Sequence, residues 1–375
     1  MKLFWECFII IEIWFPKRQL SENFREFLIL RQSTMKILLK DIAQEANVSR
    51  ATVTRVMNGN ENVSTELTEK VNSAAKRLGF SFSSYEDKKI NQTNVKVIGL
   101  IVSDLSNPFF IVLMRGVVSE ARVLNYGVQI FETNEDFEKE KNILDSVNDY
   151  KFKGVIICAS HISEPLIKNF AIKANIPIVL INRYISFSNI SCIVIDYQKA
   201  MEQAATHLIE LGHRRIAYLA GPSSNETSQK RRSGIEEAMR KAGLTLSSDL
   251  CIDSFPNEEG GFHAMISLLS LPEEKRPTGI LAYNDMIAVG AYRAIRIRGL
   301  RIPEDISIIG NDNIEIASIL YPPLTTVSPE KVHMGILAMQ TINRMNSEDY
   351  KPSDGFIQLE APLTLRYSTG PVPNN

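Results

Sequence analysis

The residues best placed to do chemistry fall into two sets. The first lies between Ser49 and Ser64. Arg50, Ala51, Thr54 and Arg55 share the outward side of a short helical pattern whose inward side carries Val53, Val56 and Met57. An arginine fork pairs with O6 and N7 of guanine in the major groove. Ser49, Thr52, Asn58 and Ser64 flank these positions with small hydroxyl and amide groups, which hold phosphates and fix register. The second set stands just after apolar runs: Asn107 with Phe109 and Phe110, the pair Asn182 and Arg183, Asp196, the pair Asn284 and Asp285, and Asp312. In open α/β sheets ligands bind outside the carboxyl ends of the strands. An aromatic face there can cover a sugar or a base. Carboxylate, arginine and amide groups could also do acid–base work. No nucleophile elbow, P-loop or GxGxxG motif accompanies them, and Ser103, Ser160 and His161 lack a paired spacing. A binding protein is expected, not an enzyme, and no cofactor is expected.

The first set needs helices to position it. Leu39, Ile42, Ala43 and Ala46 recur at helical spacing. Asn47-Val48 breaks the pattern, and Ser49 is a good cap for the next helix. Asn58-Gly59 ends that helix. A third begins near Ser64, with Leu67, Val71, Ala74, Ala75 and Leu78 as its core stripe and Gly79 as its close. Two short helices, a tight turn and an outward polar N-terminus on the second make a helix-turn-helix. A plain three-helix bundle with a solvated face meets the same pattern.

The second set needs strands. Apolar runs at 95–102, 127–132, 154–159, 176–181, 192–195, 215–220, 279–283 and 306–310 alternate with helical patterns at 109–125, 136–150, 164–173, 198–211, 229–242, 260–270, 285–298 and 330–345. Continuous apolar strands between helices mean parallel sheets covered on both faces. Periodicity alone does not decide between two doubly wound lobes and one closed barrel.

The stretch KDIAQEANVSRATVTRVMNG closely resembles the start of LacI/GalR-type bacterial repressors, the lactose, galactose and purine repressor family. The match is carried by Lys40, Asp41-Ile42-Ala43, Asn47-Val48-Ser49, Thr52-Val53-Thr54-Arg55-Val56 and Asn58. Leu38 departs from it, since the family usually has a capping threonine there. The resemblance runs from about Lys36 to Ser368 and implies an N-terminal all-α helix-turn-helix domain. A two-lobed α/β domain like periplasmic sugar-binding proteins would follow, with two doubly wound parallel sheets and ligand in the cleft. It marks Arg231, three residues before Gly234, as an effector ligand, and it supports the same role for Asn107, Phe109, Phe110, Asn182, Arg183, Asn284, Asp285 and Asp312. Asn311 replaces the family's usual aromatic. The family's hinge helix puts an apolar wedge into the minor groove. Ile90 can serve as that wedge, although Glu86 and Asp87 stand where acids oppose phosphate.

The expected organisation is an extension over 1–34, a DNA-binding domain over 35–80, a linker over 81–94, an effector and dimerisation domain over 95–368, and a tail over 369–375. Lobe 1 is expected at about 95–194 plus 324–350, and lobe 2 at about 195–322 plus 355–368. Leu3–Phe15 is apolar but broken by Glu6 and Glu12 and too short to span a bilayer. Its flanks do not suit a signal peptide. A cytoplasmic location without a membrane partner is therefore expected.

The 375 residues are 44% hydrophobic and 23% charged, which suits a globular chain and argues against disorder. A net charge of −1 gives no global basic field, though a small basic module can be offset elsewhere. Five histidines without close pairing and the scattered Cys7, Cys158, Cys192 and Cys251 suggest neither a metal site nor a disulfide framework. Expected partners are near-palindromic operator DNA, a small-molecule effector of sugar or sugar-derivative type, and a second copy in a homodimer. With no terminal leucine heptad, a tetramer of the lactose-repressor kind is not expected. The main alternative is a periplasmic-type sugar-binding transport component, which would need a signal peptide and no helix-turn-helix. Another is a regulator read by a partner protein.

Overall fold

The computed structural model describes residues 38–57, 63–78, 96–147, 149–158, 161–222, 226–347 and 355–373. Expectations for residues 1–34, Asn58, Ser160, the linker and Ile90 lie outside the described residues. The chain divides into two compact units at Asn94 and Val95.

The first unit holds α1 (Leu39–Glu45), α2 (Arg50–Met57) and α3 (Thr65–Arg77). Ile42, Ala43, Ala46, Val53, Val71, Ala74 and Ala75 form its buried core. Leu38 offers no side-chain acceptor, but the first turn is still tied. Its own N–H donates to the Asp41 carboxylate at 2.8 Å, the carboxylate half of a capping box. Asn47 takes a left-handed φ of 51° between α1 and α2, a conformation asparagine tolerates better than most residues. Arg77 Nε donates to Glu45 Oε1 at 3.0 Å and ties α3 to α1. Leu67 is exposed rather than part of the core, because the alanine-rich stripe of α3 is buried only from Val71 onward.

The second unit alternates strands and helices. In order it runs β1 (Lys96–Val102), α4 (Pro108–Val123), β2 (Tyr126–Glu132), α5 (Phe137–Val147), β3 (Val155–Cys158), α6 (Glu164–Ala174), β4 (Ile178–Ile181) and β5 (Ile190–Ile195). Then come α7 (Tyr197–Glu210), β6 (Ile216–Ala220), α8 (Glu226–Lys241), β7 (Cys251–Asp253), α9 (Glu258–Leu269), β8 (Gly279–Ala282), α10 (Asp285–Ile297) and β9 (Ser307–Asn311). The last elements are α11 (Glu315–Ile319), β10 (Thr325–Val327), α12 (Lys331–Met345), β11 (Phe356–Leu359) and β12 (Leu363–Thr364).

The strands form two sheets, ordered β11-β5-β4-β3-β1-β2 and β12-β10-β9-β8-β6-β7. Every pairing is parallel except β10 with β12. Two doubly wound lobes result, not a closed barrel. Ile98, Leu100, Ile156, Val179 and Ile193 fill the middle of the first sheet, all buried, and Ile280 and Ile308 do so in the second.

Two lobe assignments need correction. β10 was expected in the first lobe, but Thr325–Val327 pairs with Ile309–Asn311 of the second sheet. Residues from 355 were expected in the second lobe, but Phe356–Leu359 pairs with Cys192–Ile195 of the first. Neither short strand stood out as an apolar run, and strand neighbours are set by long-range pairing. The chain therefore passes between the sheets three times: between β5 and α7, between β10 and α12, and between β11 and β12.

Candidate functional site

In the first unit the exposed side of α2 carries Arg50, Ala51, Thr54 and Arg55, with Thr52 half-buried beside them. Ser49 Oγ accepts the Thr52 N–H at 3.1 Å and lies 2.9 Å from Thr52 Oγ1. Ser64 Oγ caps α3 by accepting from Leu67 N at 3.4 Å. Thr54 Oγ1 is turned back to the Arg50 carbonyl at 3.0 Å. Capping uses acceptor capacity, so Ser64, and one of Ser49 and Thr52, keep a hydroxyl hydrogen for a phosphate. The arrangement offers two arginine forks on a small-residue helix face, which is the geometry of base readout in a major groove.

In the second unit one cleft gathers the carboxyl ends of strands from both sheets. It is lined by Ser103, Asp104, Asn107, Phe109, Phe110, Glu135 and Asn182 from the first lobe, and by Tyr197, Pro222, Thr227, Arg231, Pro256, Tyr283, Asn284 and Asp312 from the second. Its volume is about 60 Å³, small beside the roughly 300–1,000 Å³ usual for small-molecule pockets.

Arg231 is the centre of the second-lobe wall. Its guanidinium lies 3.9 Å from the ring centroid of Tyr197 and 4.1 Å from that of Tyr283. Stacking between two rings fixes the plane of the fork. Gly234 explains how α8 comes so close. A Cβ there would sit 2.1 Å from the Gln198 carbonyl oxygen, so α7 and α8 approach at a point only glycine permits. Asp312 follows β9 with φ of 123°. Its carboxyl is buried, and burial raises its pKa from 3.8 to about 7. Its carbonyl accepts from Lys331 Nζ.

Several buried polar atoms in the two walls lack partners among the described residues: Ser103 Oγ, Asn182 Oδ1 and Arg231 Nε. Such atoms are costly unless something completes them. The first lobe adds Glu135, which takes a left-handed φ of 57° and pairs with His161 at 2.5 Å. That contact holds the His161 imidazole above its ordinary pKa, against the opposing effect of burial.

Most expected effector residues meet in this cleft, with differences. Phe109 and Phe110 both line it and both are core residues, edge to face at 5.2 Å. Asn107 caps α4, its Oδ1 accepting from Phe109 N at 2.9 Å. Asn284 lines the cleft, but its amide is committed: Oδ1 accepts from Ile287 N at 2.8 Å and Nδ2 donates to Pro256 O at 2.9 Å. Two residues expected as ligands are not cleft residues. Arg183 donates instead to the Ile162 carbonyl. Asp285 is fully buried beneath the wall, accepting from Thr326 Oγ1 at 2.6 Å and Ile314 N at 2.9 Å. Adjacent residues at a helix start point different ways, so Asn284 faces the cleft while Asp285 holds the following loops. Sequence reasoning missed Tyr197 and Tyr283. Their signal was an aromatic residue at the carboxyl end of an apolar strand. Among the described residues no His, Cys, Asp and Glu cluster suits a metal ion, and no helix is long and apolar enough to cross a membrane.

A helix-turn-helix with an open reading face, followed by two lobes closing on a polar cleft, defines a ligand-responsive DNA-binding regulator. Residues 38–82 match the family described as bacterial regulatory proteins, lacI family. Residues 95–360 match periplasmic binding proteins and the sugar-binding domain of the LacI family. The chain belongs to the LacI family of transcriptional regulators. It is 31% identical to the HTH-type transcriptional regulator DegA of Bacillus subtilis, over 90% of this chain and 99% of that protein. The transcriptional regulator CelR in complex with cellobiose is similar in structure, with TM-score 0.66, 27% identity, and coverage of 89% of this chain and 100% of that one. The lac repressor dimer bound to operator and the anti-inducer ONPF also has TM-score 0.66, with 25% identity, over 89% of this chain and 99% of that one. The helix-turn-helix match removes support from the transport alternative.

Proposed function

We propose that this chain is a cytoplasmic repressor whose operator affinity is set by a sugar or sugar derivative bound between the two sheets. The observation that carries the reading is the trio of unpartnered buried polar atoms, Ser103 Oγ, Asn182 Oδ1 and Arg231 Nε, which come from both walls of one cleft. All three residues line the cleft, and a hydroxyl-bearing ligand for which the lobes adjust would offer such atoms partners and so favour one arrangement of the lobes. Any such preference is coupled reciprocally to DNA affinity. The cellobiose complex of the CelR regulator supports a sugar as ligand.

In this reading Arg50, Ala51 and Arg55 read bases, while Ser49, Thr52 and Ser64 hold the backbone. A homodimer presents two such helices to a near-palindromic operator. Ile319, Tyr321 and Tyr367, all exposed, line one groove of the second lobe, and a second copy would cover this apolar patch. The operator-bound lac repressor is a dimer. The test is operator binding by fluorescence anisotropy during titration with a panel of sugars. A change in operator affinity with at least one sugar is expected. Operator binding that no sugar alters would defeat the reading.

A further inference from the structure

The effector can be narrowed by what the cleft withholds, an inference that rests on the cleft being the effector site. We propose that the effector is an uncharged, hydroxyl-rich molecule carrying neither phosphate nor carboxylate, and that it enters chiefly as a hydrogen-bond donor.

Among the described residues the cations near the cleft are each faced by another group, although Arg231 keeps its Nε without a partner. Arg231 has both faces covered by Tyr197 and Tyr283, and its Nη2 stands 3.9 Å from Asp312 Oδ1. Lys230 pairs with Glu226 at 2.7 Å, and Arg232 with Glu236 at 2.7 Å. Arg183 is held by the Ile162 carbonyl. Lys331 donates to the carbonyls of Asp312, Asn313 and Pro329. His161 is paired with Glu135. Against these stand three cleft carboxyls, Asp104, Glu135 and Asp312. Among the described lining residues, acidic side chains therefore outnumber cationic ones.

The backbone withholds anion sites as well. Helix N-termini bind phosphate through their free N–H groups. Three of the helices that begin at this cleft have one first-turn N–H taken by their own cap. Asn107 caps α4 through Phe109 N at 2.9 Å, Asp196 caps α7 through Lys199 N at 3.0 Å, and Asn284 caps α10 through Ile287 N at 2.8 Å. At α8 the first turn carries Glu226.

What remains is rich in acceptors. Asn182 Oδ1 and ionised carboxylates only accept, Arg231 Nε only donates, and Ser103 and the protonated form of Asp312 do either. Hydroxyls satisfy such a set in both directions, whereas a phosphate oxygen only accepts. Sugar rings and open-chain polyols share this chemistry.

The test is calorimetry on the full chain with matched probes: glucose, ribose, cellobiose, sorbitol, ribitol, glucose 6-phosphate, ribose 5-phosphate and gluconate. At least one uncharged probe should bind, and its phosphorylated or acid counterpart should bind about 100-fold more weakly, because like charges meet in the cleft. Binding by sugars alone, or by polyols alone, assigns the requirement to the ring or to the hydroxyl row, and both support the proposal. Glu135→Gln removes one facing charge and should narrow the gap about tenfold. A phosphorylated or acid probe that binds as tightly as its uncharged counterpart overturns the proposal and leaves the cleft as the effector site. If no probe binds, the proposal and the reading beneath it both fall.

Discussion

Arg231 Nη2 and Asp312 Oδ1 face one another at 3.9 Å with both side chains almost wholly buried. The gap is too long for a hydrogen bond. Each residue is held from behind, Arg231 by two aromatic rings and Asp312 through its own backbone. The pair is thus set apart at a spacing that one ligand hydroxyl can bridge, accepting from the guanidinium and donating to the carboxylate.

Arg231→Ala should therefore weaken effector binding by about 1–3 kcal/mol or more. Arg231→Lys should fare little better, because an ammonium cannot lie flat between two rings. Operator affinity without effector should be unchanged in both. Calorimetry and anisotropy on the same preparations check this, and unchanged effector affinity in both variants would remove Arg231 from the site.

Burial raises Asp312 to about 7 and Asp285 to about 6, from 3.8. The folded state thus holds these protons more tightly than the unfolded one. Their contribution to stability is complete below about pH 4 and is lost as pH rises through 6 to 7. Arg231 and Lys331 offset part of the loss at Asp312, and Asp285 opposes them. Asp312→Asn cannot ionise. Its melting temperature should rise relative to the natural chain between pH 5 and pH 8, as measured by scanning calorimetry. A gap that stays constant with pH would show that Asp312 titrates normally.

Arg55→Ala should cost about 1–3 kcal/mol on the cognate operator by loss of a bidentate base contact. Random DNA should lose much less. Competition binding separates the two cases, and equal losses would make Arg55 a phosphate contact.

Gly234→Ala places a methyl group 2.1 Å from the Gln198 carbonyl oxygen. Overpacking of this kind costs about 1–3 kcal/mol. Because Arg231 sits one turn earlier on the same helix, effector affinity should fall along with stability. Denaturant unfolding and calorimetry together check this. A loss of stability with wild-type effector affinity would mean that the contact between α7 and α8 does not position Arg231.

Legibility in the sequence followed burial. Strands in the middle of the sheets, such as Ile178–Ile181, are apolar throughout and were visible as runs. Edge strands varied: Tyr126–Glu132 was visible, but Cys251–Asp253 is short and only half-buried, so no run or alternation marks it. Thr325–Val327 was not among the apolar runs, and its sheet is decided by long-range pairing that no local pattern encodes. The cleft was legible where a residue follows a strand. Its details depend on which way a side chain turns, as the divergence of Asn284 from Asp285 shows. The stacking of Tyr197 and Tyr283 on Arg231 joins residues from three separate segments, and spacing does not reveal that.

The three passages of the chain between the sheets bear on synthesis at the ribosome. The first sheet lacks its outer strand until Phe356–Leu359 is made, and the second until Leu363–Thr364 follows. A nascent chain can complete its DNA-reading helices early, while both lobes still present an unpaired strand edge. A nonsense mutation between β10 and β11 would release a polypeptide with its DNA-reading helices and two unfinished sheets. Such a product is a target for chaperones and proteases, and it has no closed cleft through which an effector could control it.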